Sequence, residues 1–482
     1  MTDQITKHSQ NSRRFSQEGL YSFVKRQTDD ATCSFAKSLE RQKSIIKKLE
    51  NVQYLTSSNF SDLVNFSKSR NAPIHRWFKY REGYSPELVF SFLENNEKKI
   101  LDPFCGSGTT LICAKQRGLS SVGIDINPMA VFISRTKSRN YSLEDFEKLK
   151  KLSDAIPVAD KESSPSNPPK LKILSKIFHP EILDYLLRVK TAILTLAEGK
   201  QRDFLFLGWL AVLESVSNTR KEGNGIKYRS TRRTKDGYIH VPDDLWQRKY
   251  FGADKVGFAR TRLRSQYQMM LKDVEKFGLT KSSCTTDTYQ HDSTTLDELI
   301  GGEEISTAIF SPPYANCFDY FEIFKVELWM GDFVNDYKRL GELRRRSLGS
   351  LWRGQLHTTD ELDIEEFTEL VSLIKEKGVW DNSILSMLQG YFSDLRKVLI
   401  GIHAALVPGG KCVIVVGNSA YSNVLVPTDL ILAGIGNKVG FEKPKIITAR
   451  YLTTSSQQKK NLEQLEQYLR ESIIVLDKPQ RA

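Results

Sequence analysis

Short apolar runs closed by turn residues alternate with longer stretches at helical spacing along this chain. Thr307-Ala308-Ile309-Phe310 reads as a buried strand that stops at Ser311-Pro312-Pro313-Tyr314. Two prolines after a strand end its ladder and fix the backbone, so the carbonyls there point in set directions. Lys99 to Leu101 and Ser121-Val122-Gly123-Ile124-Asp125 read as two more strands, and another ends at Tyr289-Gln290-His291-Asp292-Ser293. Lys411 to Val416, Lys445 to Tyr451 and Ser472 to Leu476 complete the set. Helical spacing covers Ala31 to Leu55, through Leu39, Ile45, Ile46 and Leu49. It recurs after Ser85, a cap with Pro86 at the first turn, and over Pro128 to Tyr141 and Leu143 to Leu152. Pro180 to Leu196, Phe204 to Val216, a segment through Trp329 and Ile384 to Leu406 follow the same period. Residues 1–30 are polar and patternless, and Pro157 to Pro169 reads as a loop.

Chemistry enters with Ile100-Leu101-Asp102-Pro103-Phe104-Cys105-Gly106-Ser107-Gly108-Thr109-Thr110, a strand, a glycine-rich turn and a helix start. Glycines let backbone approach a ligand, and a helix start presents free N–H groups. A glycine turn alone is a weak signal. Here the next strand ends in Asp125, about twenty residues on, where nucleotide-type folds place a carboxylate on ribose hydroxyls. Together these features suggest a site for an adenosine-containing cofactor. Alone, a Pro-Pro pair is a strand-ending turn, but beside such a site the Ser311 hydroxyl and the Tyr314 ring suit a flat, hydrogen-bonding ligand such as a nucleobase.

Asp-Pro-Phe-x-Gly-Ser-Gly-Thr-Thr paired with Ser-Pro-Pro-Tyr resembles the amino-methylating DNA methyltransferases, which use S-adenosyl-L-methionine. The resemblance covers roughly residues 72–150 and 283–478. It implies an α/β fold: a Rossmann-like class I methyltransferase sheet, parallel with an antiparallel closing strand, carrying largely helical insertions. It also implies transfer to the N4 of a flipped-out cytosine in double-stranded DNA, because the serine form of the tetrapeptide goes with cytosine and the Asp or Asn forms with adenine N6. Ser311, Pro312, Pro313 and Tyr314 take the catalytic places. Asp102, Phe104, Gly106, Gly108, Thr109, Asp125 and Asp292 take cofactor places, although Asp292 equally suits the cap of a helix beginning near Thr294. The aromatic segment before the turn places Trp77, Phe78 and Tyr84 near the cofactor, with packing at a core edge as the other reading. Gly417-Asn418-Ser419 lies at a strand's carboxyl end, where ligands gather.

The chain has 482 residues and a formal charge of +12, a balance that favours a polyanionic partner. Arg220, Lys221, Lys227, Arg229, Arg232, Arg233 and Lys235 are interleaved with Gly223, Gly225 and Tyr228, which favours phosphate contact over a merely solvated face. A basic helix follows, with Lys255, Arg260, Arg262, Arg264 and Tyr267. The expected division is an extension at 1–71, the cofactor half of the core at 72–150, an inserted candidate target-recognition region at 151–282 and the catalytic part at 283–330. A second basic insertion, with Lys338, Arg339, Arg344, Arg345, Arg346 and Arg353, spans 331–382 and competes for target recognition; the core closes over 383–482. The cysteines at 33, 105, 113, 284, 317 and 412 show no metal-ligand spacing and read as reduced thiols of a cytoplasmic protein. Cys317 lacks the preceding proline of the ring-carbon methylating class. No apolar run nears membrane-span length, and the polar start is no signal peptide. A cognate restriction endonuclease is the expected partner protein. The alternatives are an adenine-N6 enzyme and, further off, an RNA methyltransferase or a DNA-binding relative that has lost catalysis.

Overall fold

The computed structural model describes residues 36–480 apart from 56–59, 66–70, 81–82, 95–97, 224, 235–236, 241–242, 279–283, 303, 317, 349–361, 380, 382 and 453–461. Residues 1–30, Lys235, Cys317 and Arg353 of the sequence reading therefore lie outside the described residues. In chain order the strands are β1 (Gln53–Leu55), β2 (Lys99–Asp102), β3 (Ser120–Asp125), β4 (Thr219–Glu222), β5 (Gly225–Tyr228), β6 (Thr231–Thr234) and β7 (Gly237–His240). Then come β8 (Thr286–Gln290), β9 (Ile305–Phe310), β10 (Leu406–Gly417), β11 (Ser419–Tyr421), β12 (Val424–Val426), β13 (Lys445–Tyr451) and β14 (Arg470–Asp477).

Eight of these form one sheet in the order β1-β13-β14-β10-β9-β2-β3-β8. Every pairing is parallel except those of β14, which runs antiparallel between β10 and β13. This is the expected Rossmann-like methyltransferase sheet. Its central strands carry apolar runs, Ala308 to Phe310 and Cys412 to Val416, because both faces are covered. Ile309, Val413 and Val415 face a cluster built with Leu88, Val89 and Cys113, whereas Ala308, Phe310, Ile414 and Val416 face one built with Leu388, Phe392 and Leu430. The connections diverge between β2 and β9. A crevice opens at the carboxyl ends of strands at such a switch point.

Three elements differ from the sequence reading, one being Pro157 to Pro169, expected as a loop, whose first residues continue the 3-10 helix Ile156–Lys161. The helix expected over Ala31 to Leu55 is present over 36–49, its start lies outside the described residues, and it ends before Gln53–Leu55, which pairs in parallel with β13. Tertiary pairing with an open sheet edge overrides local helical spacing there. The basic stretch from Thr219 is two antiparallel hairpins, β4–β5 and β6–β7. Gly223 at positive φ follows β4 directly and Gly237, also at positive φ, opens β7, a signal masked by reading the segment as a run of charge. Helices Pro180–Leu194, Lys200–Val212 and Lys255–Asp273 are the longest of this region's described helices and share one core cluster with Trp77, Phe78 and Tyr80. Among the described residues no helix is long and apolar enough to cross a membrane, and no His, Cys, Asp and Glu group is arranged to hold a metal ion.

Candidate active site

The glycine turn follows β2 directly. Asp102 Oδ1 accepts from Phe104 N at 3.0 Å, folding the chain back before the helix Thr109–Gln116. Gly106 and Gly108 adopt φ of +48° and +85°. A Cβ on Gly106 would lie 3.2 Å from the Tyr80 ring, and one on Gly108 would lie 2.9 Å from Ser134 Cβ. Gly106 therefore stands under Tyr80 in the wall of a cleft. Gly108 does not line that cleft; it lets the helix start pack on Pro128–Ser138.

The cleft is about 1070 Å³ with its open mouth included, and Asp102, Phe104, Gly106, Thr109, Asp125 and Asp292 line it. Asp125 closes β3, and its two oxygens accept Gly106 N at 3.0 Å and Asn127 N at 2.8 Å. Burial pushes its carboxyl up to about 6. Burial likewise pushes Asp102 up to about 7, although Thr110, Phe104 and the Tyr84 hydroxyl, which donates to Oδ2 at 3.0 Å, hold it back. Two carboxyls whose ionisation burial disfavours, in one cleft, fit a ligand that brings positive charge. Asp292 takes both roles allowed by its position: it caps the turn at Thr294, accepting N and Oγ1 at 3.0 and 2.8 Å, and it lines the cleft.

The aromatic segment departs from expectation at two residues. Trp77 is buried away from the cleft, donating Nε1 to Asp273 Oδ2 at 3.0 Å and packing edge-on to Phe204 at 5.4 Å. Phe78 packs on Phe324 with ring centres 6.0 Å apart. The insertion helix ending at Asp273 draws both into its own core, as the packing reading required. Tyr84 does line the cleft, together with Tyr80, which stacks on Phe324 at 4.7 Å and on Tyr320 at 6.3 Å.

The tetrapeptide runs from the end of β9 across the end of β10 to β14. Ser311 Oγ donates to Val415 O at 3.0 Å on β10. Ser311 and Pro313 line the cleft, whereas Pro312 is buried outside its lining. Tyr314 crosses Gly417 and donates its hydroxyl to Glu471 Oε1 at 2.5 Å on β14. Ser311 therefore sits between the cofactor cleft and the Tyr314 ring. Asn418, beside them in sequence, faces inward: Nδ2 donates to Asp429 Oδ1 at 2.8 Å, and Asp429 also holds Arg470 at 2.8 Å. Its role is to brace the core rather than bind a ligand.

The basic stretch divides by strand parity. Arg220 and Lys227 are exposed, Arg220 paired with Glu222 at 2.9 Å. Lys221 is not available to phosphate: its ammonium is buried 2.5 Å from Glu327 Oε1 and 4.4 Å from the Phe324 ring centre. Arg229 is half-buried, donating to Ser217 O at 3.2 Å and standing over Tyr250 at 4.7 Å. Alternation along β4 explains the difference, since inward side chains must find partners. Arg232 and Arg233 lie on β6, and their side chains are outside the described ones. Tyr80, Asn127, Tyr320 and Glu471 were absent from the sequence reading's site. Only Tyr80 carried a signal, as a neighbour of the aromatic segment.

A nucleotide-type crevice at the switch point, with a proline-fixed tetrapeptide at its rim, is the arrangement that the resemblance to methyltransferases implies. Residues 84–135 match a family described as DNA methylase, which spans N6 and N4 types. The chain is 27% identical to the Type II methyltransferase M.BsoBI of Geobacillus stearothermophilus, over 92% of this chain and 93% of that one. It is 25% identical to Type II methyltransferase M.AvaI of a Nostoc species, over 87% and 90%. To Type II methyltransferase M.MvaI of Kocuria varians it is 22% identical, over 76% and 81%. These matches bear out the recognition made from the two motifs: the chain is similar over most of its length to DNA methyltransferases named as Type II enzymes.

Proposed function

We propose that the protein transfers a methyl group from S-adenosyl-L-methionine to the exocyclic N4 of a cytosine extruded from double-stranded DNA. The observation that supports amino-group methylation is a serine hydroxyl at the cleft rim with its hydrogen given to Val415 O, and the serine form of the tetrapeptide favours cytosine by the family resemblance. That orientation leaves the Ser311 oxygen as an acceptor for an amino N–H. Cytosine's amino nitrogen is a poor nucleophile because its lone pair is delocalised into the ring. Accepting its N–H groups at Ser311 Oγ and, by the family resemblance, at the Pro312 carbonyl lets the nitrogen move toward tetrahedral geometry. When bound, the cofactor supplies the methyl group on a positively charged sulfur. Asp125 would accept from the ribose hydroxyls, and Asp102 offers negative charge to the cationic end. Positioning of amine and methyl donor in line supplies much of the acceleration. Tyr314 is the stacking partner for the base, which must leave the duplex to reach the cleft. Kinship with enzymes named Type II methyltransferases supports DNA as substrate and a restriction endonuclease as functional counterpart.

The test is mass spectrometry of hydrolysed DNA after incubation with protein and cofactor. N4-methylcytosine is expected, whereas N6-methyladenine as the sole product would overturn the cytosine assignment. Ser311→Ala should keep cofactor affinity and lose roughly tenfold or more in methyl transfer, the worth of one hydrogen bond that strengthens in the transition state.

A further inference from the structure

Tyr314 is fastened at a point that methyl transfer itself does not use. Its hydroxyl donates to Glu471 Oε1 at 2.5 Å, and Glu471 Oε2 accepts from Arg450 Nε at 2.5 Å. The Glu471 side chain is 4% exposed, while Arg450 remains 40% exposed. Arg450 and Glu471 are partners across β13 and β14, at the point where the pairing register shifts after Thr448. Beside Glu471, as its partner across β10 and β14, stands Gly417, where a Cβ would lie 3.0 Å from Tyr314 Cε2. The ring is thus held by its hydroxyl at one end and by bare backbone along its edge.

A carboxylate buried in a strand that continues Ser472-Ile473-Ile474-Val475-Leu476 is costly unless each oxygen is partnered. Arg450 partners one oxygen, and Tyr314 takes the other. An aromatic ring that only filled space beside Gly417 would need no hydroxyl, so the polar link is specific to tyrosine at this place. Burial, reinforced by the Glu471 carboxylate, raises the Tyr314 phenol well above its ordinary range, which keeps the hydroxyl a donor.

We propose that Glu471 is a positioning residue for the target base, fixing through the Tyr314 hydroxyl the ring against which the extruded base stacks. This rests on the methyl-transfer function proposed for the cleft. A stacked base carries its amino group with it, so a tilt of the ring moves the nitrogen away from Ser311 and out of line with the methyl donor. Small misplacements of this kind lower rates steeply.

Tyr314→Phe and Glu471→Leu should each raise KM for DNA and lower the single-turnover methylation rate by on the order of tenfold. The double variant should lose no more than either single one, because both remove the same link. Glu471→Gln keeps an acceptor for the phenol and should recover most of the loss. Cofactor affinity by calorimetry should stay at the wild-type value throughout, since neither residue lines the cofactor cleft; this also shows that the variants fold. Additive losses in the double variant, equal losses for Gln and Leu at 471, or a fall in cofactor affinity would each overturn the positioning role. If the wild-type protein methylates no DNA at all, the functional reading fails and this inference fails with it. If the wild type is active and Glu471→Leu is silent, only this inference fails.

Discussion

Asp102 and Asp125 show how a single carboxyl ties the cleft to pH. Burial raises them to about 7 and about 6 from an ordinary value of 3.8. A carboxyl raised in the fold stabilises it below its unfolded value, and that contribution is lost as pH rises through the folded value. The unliganded protein is therefore weakened on this account between about pH 4 and pH 7. The proposed cofactor, cationic at sulfur and amine, prefers the ionised carboxyls. Its affinity should climb from about pH 5 to about pH 8 and level off beyond, with protons released on binding near pH 6.5. Calorimetry in two buffers of different ionisation enthalpy measures that release directly, and identical heats would remove both acids from the binding event. Asp125 was legible in the sequence because a strand-end carboxylate after a glycine turn has few other uses. Trp77 was not, because the partner that claims its indole, Asp273, arrives from an insertion distant in sequence.

At the scale of elements, the β4–β5 hairpin separates charge that contacts solvent from charge that holds structure. Lys221 reaches Glu327 on the helix Lys325–Met330, just beyond the tetrapeptide, with both side chains almost fully buried. Burial pushes the Glu327 carboxyl up, and the Lys221 ammonium pulls it back. Lys221→Met should leave that carboxylate unpaired and cost roughly 3–5 kcal/mol in unfolding free energy. The salt dependence of DNA binding should keep its wild-type slope in this variant. Arg220→Ala with Lys227→Ala should do the reverse, leaving chemical denaturation unchanged and flattening the slope by about 0.9 for each phosphate that is no longer neutralised. Equal stability for Lys221→Met would mean that Glu327 finds another partner. The hairpins themselves were within reach of the sequence: Gly223 and Gly237 punctuate short alternating runs. Dense lysine and arginine concealed that alternation. Glu471 was beyond reach, because a charged residue opening an apolar strand does not say which loop will cross above it.

The molecule as a whole sets its two insertions around one crevice. The sheet was legible because buried parallel strands read as continuous apolar runs, and the switch point follows from their order. The placement of the insertions was not, since it depends on surfaces rather than periods. Leu340 and Leu343 of the second insertion join the same core cluster as Leu205 and Tyr267 of the first. The first part of the second insertion therefore packs with the first insertion, whereas Phe367 and Leu370 further along it join the cluster on the other face of the sheet, and Arg346 reaches the cleft lining itself. A duplex presenting its base at Ser311 would then meet charge from both, which fits the formal excess of +12 better than a single reading head. Arg220 and Lys227 stand exposed on one insertion, Lys338 and Arg346 on the other. Neutralising either pair should flatten the plot of log affinity against log salt, and neutralising both should add the two effects, because well-separated charges act independently. Fluorescence anisotropy with one duplex at several salt concentrations gives all four slopes. If removal of Lys338 and Arg346 leaves the slope unchanged, DNA is gripped by the first insertion alone and the second serves only to wall the cleft.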